Sequence, residues 1–229
     1  MGCCGCKNVK TIKNIKTINT KLISRKFEDI DKNIIELDLN NKIIEISDFC
    51  SLCQLNLPYL ENLNLSNNNL YDIKGLNTLK VPNLKILDLS NNSLSDFSEL
   101  KSFKIPYLEN LKLSNNRISD ISELKYLNVQ NLKILDLSYN NINNLDVFIF
   151  VNFTLEELYL IGNEISQIGV FEKAKSLKNV KKLCLDINDN EYESNKNILS
   201  YLKESICDLE IKPKYNKKNF YRLETLHLN

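Results

Sequence analysis

Pro58-Tyr59-Leu60-Glu61-Asn62-Leu63-Asn64-Leu65-Ser66-Asn67-Asn68-Asn69-Leu70 sets the pattern of the whole chain. Numbering Leu60 as position 1, it places Leu at positions 1, 4, 6 and 11 and Asn at position 9. The pattern returns from Leu84, Leu108 and Leu132, each copy starting 24 residues after the last. A fixed period of this size means stacked repeat units. Leu and Ile at positions 1, 4, 6 and 11 point into the stack, because no single unit can bury its apolar face alone.

Further copies lie on both sides. Ile34-x-x-Leu37-x-Leu39 is a first strand, with Lys42 where the Asn should stand. Later strands open at Leu155 and at Val180, and an eighth, degenerate one at Ile206-x-x-Leu209-x-Ile211 follows a helical pattern over 196–205. The last echo, Leu223-x-x-Leu226-x-Leu228, starts only 17 residues after Ile206 and reads as a cap or tail. The organisation is a basic N-terminal segment over 1–27, a solenoid of seven to eight repeats over 28–212, and a basic cap or tail over 213–229.

The pattern L-x-x-L-x-L-x-x-N-x-L resembles the leucine-rich-repeat signature. The resemblance implies an α/β solenoid: an arc with a parallel concave sheet and a convex side of short 3-10 turns and loops. The Ile-x-x-Leu-x-x-Leu spacing at Ile118-Ile121-Leu124-Leu127 suits 3-10 turns on its own account, since residues three apart eclipse there. From residue 34 to about 190 the chain is similar to the short cytosolic class typified by the leucine-rich regulatory subunit of type-1 protein phosphatase. That resemblance implies a regulatory or scaffolding role, with a phosphatase as one candidate partner. The same class also holds spliceosomal, dynein and tubulin-folding proteins.

The Asn column, Asn68, Asn92, Asn116, Asn140, Asn163 and Asn188, is expected to point inward. Each amide can donate and accept, and so satisfies backbone groups left unpaired where a strand turns. Positions 3, 5, 7 and 8 are expected to face outward on the concave side, because side chains alternate along a strand. Ile86, Asp88, Asn110, Lys112, Ile134, Asp136, Tyr139, Glu157 and Tyr159 then share one surface, with Cys184 ending the position-5 column. Apolar, aromatic and carboxylate groups together describe a protein-binding face for a partner with a basic surface. There is also a 48-residue superperiod: Pro58-Tyr-Leu-Glu-Asn-Leu returns at Pro106, and Asn83-Leu-Lys-Ile-Leu-Asp at Asn131.

Charge is uneven. Residues 1–27 carry seven basic residues and no acid, and the stretch from Lys212 onward has five basic residues and one acid. The 28–211 body therefore holds 18 basic and 28 acidic residues within an overall charge of +1. The N-terminus reads Met1-Gly2-Cys3-Cys4-Gly5-Cys6-Lys7 and resembles dually acylated cytosolic proteins, although Cys6 stands where the acylation motif takes Ser or Thr. That resemblance implies a myristoyl group on Gly2 and palmitoyl groups on Cys3, Cys4 and Cys6. Lys7, Lys10, Lys13 and Lys16 would supply the second attraction to an anionic membrane surface that a single acyl chain needs. The alternative is a soluble regulatory or assembly subunit, phosphatase-regulator-like or ribonucleoprotein-associated, without an anchor. The expected location is the cytoplasmic face of a membrane, or else cytoplasm or nucleus.

Catalysis finds little footing. The lone His227 stands near the end of the sequence, and Gly75, Gly162 and Gly169 are isolated, so neither a nucleophile triad nor a phosphate loop can be assembled. Three Cys within residues 3–6 cannot surround one tetrahedral ion, and Cys50-x-x-Cys53 reads as small buried hydrophobes, so neither metal nor cofactor is expected. An acidic body between the basic ends argues against nucleic acid.

Overall fold

The computed structural model describes residues 27, 30–42, 44, 46–187 and 194–213. The acylation motif, the N-terminal lysines, Asn188 and the Leu223 echo all lie outside the described residues.

Each repeat yields one strand. They are β1 (Glu36–Asp38), β2 (Asn62–Asn64), β3 (Ile86–Asp88), β4 (Asn110–Lys112), β5 (Ile134–Asp136), β6 (Glu157–Tyr159), β7 (Lys182–Ile187) and β8 (Asp208–Pro213). All eight pair in parallel in chain order, forming one open sheet. The register keeps repeat positions aligned, with Leu63, Leu87, Leu111, Leu135 and Leu158 directly opposite one another. From β1 to β6 the central Leu is buried and its two neighbours are half-buried, the alternation a pleated strand requires. The inward Leu, Ile and Phe form one continuous core from Phe27 to Ile206.

The Asn column closes each strand. Asn68 Oδ1 accepts the N–H of Lys42 at 3.0 Å, and its Nδ2 donates to Leu39 and Leu65 oxygens at 2.8 and 3.0 Å. Lys42, standing in the Asn position of the first repeat, thus enters the ladder through its backbone. Asn92, Asn116, Asn140 and Asn163 repeat the arrangement, each bridging its own repeat to the one before.

On the convex side, 3-10 helices occupy Leu76–Thr78, Ser98–Ser102, Ser122–Tyr126, Asp146–Ile149 and Lys175–Leu177. Asp72, Asp96, Asp120 and Asn144 introduce four of them, each accepting the N–H two residues on at 2.7 Å. Three α-helices depart from the expected convex side of turns and loops: α1 (Ile46–Cys53), α2 (Val170–Lys173) and α3 (Lys196–Ser205), of which only α3 was anticipated. Repeat length explains them. Repeats opening at Ile34, Leu155 and Val180 run 26, 25 and 26 residues, whereas the others run 23 or 24. An α-helix rises about 1.5 Å per residue against about 2.0 Å for a 3-10 helix, so it takes up more chain over the same span.

Two expectations about the concave surface fail. Position 7 faces inward: Ser66, Ser90, Ser114 and Ser138 are all buried. In three of these repeats a local turn accompanies the burial, the position-5 side chain of Asn64, Asp88 or Asp136 accepting the position-7 N–H at 3.0 Å. Cys184 is also buried, between Tyr159 on β6 and Glu210 on β8.

Candidate functional site on the concave sheet

Two columns make the face. Position 3 runs Glu36, Asn62, Ile86, Asn110, Ile134, Glu157, Lys182, Asp208 and position 5 runs Asp38, Asn64, Asp88, Lys112, Asp136, Tyr159, Cys184, Glu210, with neighbours in register. Strands in a sheet sit about 4.8 Å apart, so Ile86 and Ile134 lie roughly 10 Å from one another across Asn110. Both isoleucines are half-buried. Asn110 Oδ1 is buried between these rungs and has no hydrogen-bond partner.

The position-5 carboxylates do two jobs. Asp88 holds the Ser90 N–H through Oδ1, while its Oδ2 pairs with Lys112 at 3.3 Å. Asp136 holds the Ser138 N–H in the same way, and among the described residues it has no ion pair. Tyr159 donates its hydroxyl to Glu157 Oε2 at 2.6 Å. Burial, and then this bond, push the phenol up to about 12. Lys182 sits 5.5 Å above the same ring and pairs with Asp208 at 3.4 Å. Burial, then a hydrogen bond with Glu210, raise the Cys184 thiol to about 11, which keeps it protonated and inert at neutral pH.

Both lysines on this face are therefore engaged internally. Seven carboxylates (Glu36, Asp38, Asp88, Asp136, Glu157, Asp208, Glu210) stand against those two lysines, a surplus of five negative charges. At the rim, Tyr139 is 54% exposed. The protein-binding set read from sequence falls on β3 to β6 and this rim; Ile86, Asn110 and Ile134 form its less polar centre, and Tyr139 and Tyr159 flank its C-terminal side.

Sequence reasoning missed the buried Asp186, whose Oδ2 accepts the Gly162 N–H at 3.0 Å and whose Oδ1 has no hydrogen-bond partner among the described residues. It stands at position 7, where four earlier repeats have Ser, so the departure was visible in the alignment of repeats. Also missed was the edge below the face. There position 2 alternates acid and base, pairing Glu61 with Lys85, Glu109 with Lys133 and Glu156 with Lys181 at 3.0, 2.9 and 2.7 Å. The 48-residue superperiod thus has a structural counterpart: repeats join in charge-matched couples. On the opposite, convex side, Phe150 is 67% exposed beside a groove of about 410 Å³ lined by Ile121, Lys125 and Val147. Cys53 is buried under that side with its thiol pushed up to about 12, while Cys50 is exposed, so only one of the pair fits the buried-hydrophobe reading.

Two family models match the chain: the NXF1/2/3/5 leucine-rich repeat domain over residues 15–120 and the leucine rich repeat over residues 106–165. No curated protein matches it. Among solved structures, an internalin (InlF) from Listeria monocytogenes is similar at 19% identity, covering 79% of this chain and 62% of that one, with a TM-score of 0.48. Internalin C2 from the same organism is similar at 20% identity, covering 78% and 81%, with a TM-score of 0.53. The chain thus spans 62% of the length of the first of these proteins and 81% of the second. At such identity the likeness to internalin C2 bears on the fold alone.

Proposed function

We propose that this chain, whose eight parallel strands form a leucine-rich-repeat solenoid, is a non-catalytic adaptor holding a basic protein partner on its concave sheet. Leucine-rich-repeat folds commonly mediate protein–protein interaction. The observation that carries the reading is the surplus of carboxylates around a less polar centre. Lys112 and Lys182 are spent on Asp88 and Asp208, and among the described residues Glu36, Asp38, Asp136 and Glu157 have no ion pair. Such a face steers a basic partner and sets register, while Ile86, Ile134 and the tyrosines supply desolvated contact. A phosphatase is one partner to look for, on the resemblance to the phosphatase-regulator class.

The test is charge reversal. Asp136→Lys should reduce recovery of the principal partner from cell extract, most strongly at low salt, whereas Ser119→Lys on the convex side should not. Full recovery by Asp136→Lys would remove the concave reading, and a loss confined to Ser119→Lys, which lines the groove beside Phe150, would place the partner on the convex side.

The adaptor is further proposed to be tethered to an anionic membrane through Gly2, Cys3, Cys4 and Cys6, aided by Lys7, Lys10, Lys13 and Lys16. What supports this is the motif together with the run of lysines. Gly2→Ala should shift the protein from the membrane to the soluble fraction; unchanged fractionation would leave the soluble regulatory or assembly subunit as the better account.

A further inference from the structure

Position 8 turns left-handed at the ends of β1 to β6. Asn41, Asn67, Asn91 and Asn115 do so with φ of 53°, 58°, 52° and 53°. Asn tolerates that conformation because its short amide bonds locally. The fifth repeat instead places Tyr139 there, at φ 55°. A bulky residue in this region is strained, and Asn would have served the turn without that cost.

Two further departures support the ring. Gly162, at position 8 of the next repeat, takes φ 77°, and a Cβ on it would overlap Cδ1 of Tyr139. Its N–H is held by Asp186, a carboxylate only 7% exposed at a position where Ser is the rule. Three consecutive repeats thus break their pattern, and together they fix one aromatic ring that stays exposed at the concave rim. Rigid support of this kind is what a binding residue needs.

On the same face, Lys182 lies 5.5 Å from the Tyr159 ring. Among the described residues no ammonium or guanidinium lies over Tyr139. Asp136, three residues earlier on the same rung, likewise has no ion pair there, because Lys112 at its register is paired with Asp88. An aromatic ring and a carboxylate thus lie three residues apart in one repeat, each without a cation among the described residues.

Resting on the reading that this face takes a basic partner, we infer that Tyr139 and Asp136 together receive an arginine side chain of that partner. A guanidinium suits both groups at once, because it stacks on aromatic rings and offers a planar fork to a carboxylate. An ammonium is a compact, strongly hydrated point charge and gains less from the ring.

The experiment compares fluorescein-labelled octa-arginine and octa-lysine peptides, titrated with the full chain at one salt concentration. Octa-arginine should bind about tenfold more tightly. Tyr139→Asn restores the residue of the earlier repeats, so it should keep or raise Tm while lowering octa-arginine affinity about tenfold and erasing the difference between peptides. Asp136→Asn keeps its bond to Ser138 and should weaken both peptides. If Tyr139→Asn leaves the arginine preference intact, the inference is overturned. If both peptides bind equally and respond to Asp136→Asn but not to Tyr139→Asn, the basic-partner reading stands and the arginine assignment falls. If neither peptide binds, both fall.

Discussion

Asn116 Nδ2 donates to the carbonyl oxygen of Leu89 across 3.0 Å, joining two repeats just past the point where their strands end. The same amide donates to Leu113 at 3.0 Å, and its Oδ1 accepts the Leu94 N–H at 3.0 Å. One side chain therefore satisfies backbone groups in two repeats. Asn116→Ala should destabilise the chain by roughly 1–3 kcal/mol, because those groups lose a buried partner. Urea unfolding with an unchanged midpoint would show that water replaces the amide freely.

Gly162 and Tyr139 should be coupled. Gly162→Ala places a methyl where the ring lies and strains a backbone at φ 77°, so it should lower stability by about 1–3 kcal/mol. In the Tyr139→Asn background the steric part disappears and the cost should shrink. A double-mutant cycle with no coupling energy would mean that the ring moves aside at no expense.

Tyr159 should titrate late. Its folded-state pKa is raised to about 12 from 10.0, by burial and by its bond to Glu157. A group whose folded pKa is raised contributes stability that is present below its unfolded pKa and lost as pH rises through the folded value. Alkaline loss of stability between about pH 10 and pH 12 should therefore be shallower in Tyr159→Phe than in the parent. Parallel stability curves for the two chains would refute the assignment.

The fold was legible because the repeat states it many times. Leu60, Leu63 and Leu65 recur at constant spacing, so strand number, register and the inward Asn column could be read without coordinates. The helix Ile46–Cys53 was not read, because its residues lie outside the repeated positions and only the length of their unit betrays them. The concave columns stand in register from strand to strand, but their energetics were hidden in the sequence. Alternation alone sends position 7 outward, whereas Ser90 is buried past a turn that Asp88 closes. Likewise nothing in the composition says that Lys112 is spent on Asp88, which is what leaves Asp136 without a cation.

The central claim is that a partner sits on the concave sheet, and Asn110 is the residue from which to ask. It lies between Ile86 and Ile134, with a buried Oδ1 that nothing in the described chain satisfies. A photoreactive benzoylphenylalanine at residue 110, irradiated in cell extract, should capture one dominant protein, and that capture should fall when Asp136→Lys is added. The same photoreactive residue at Ser119 on the convex side should not capture it. Capture from Ser119 and none from residue 110 would contradict the account and place the partner on the convex surface.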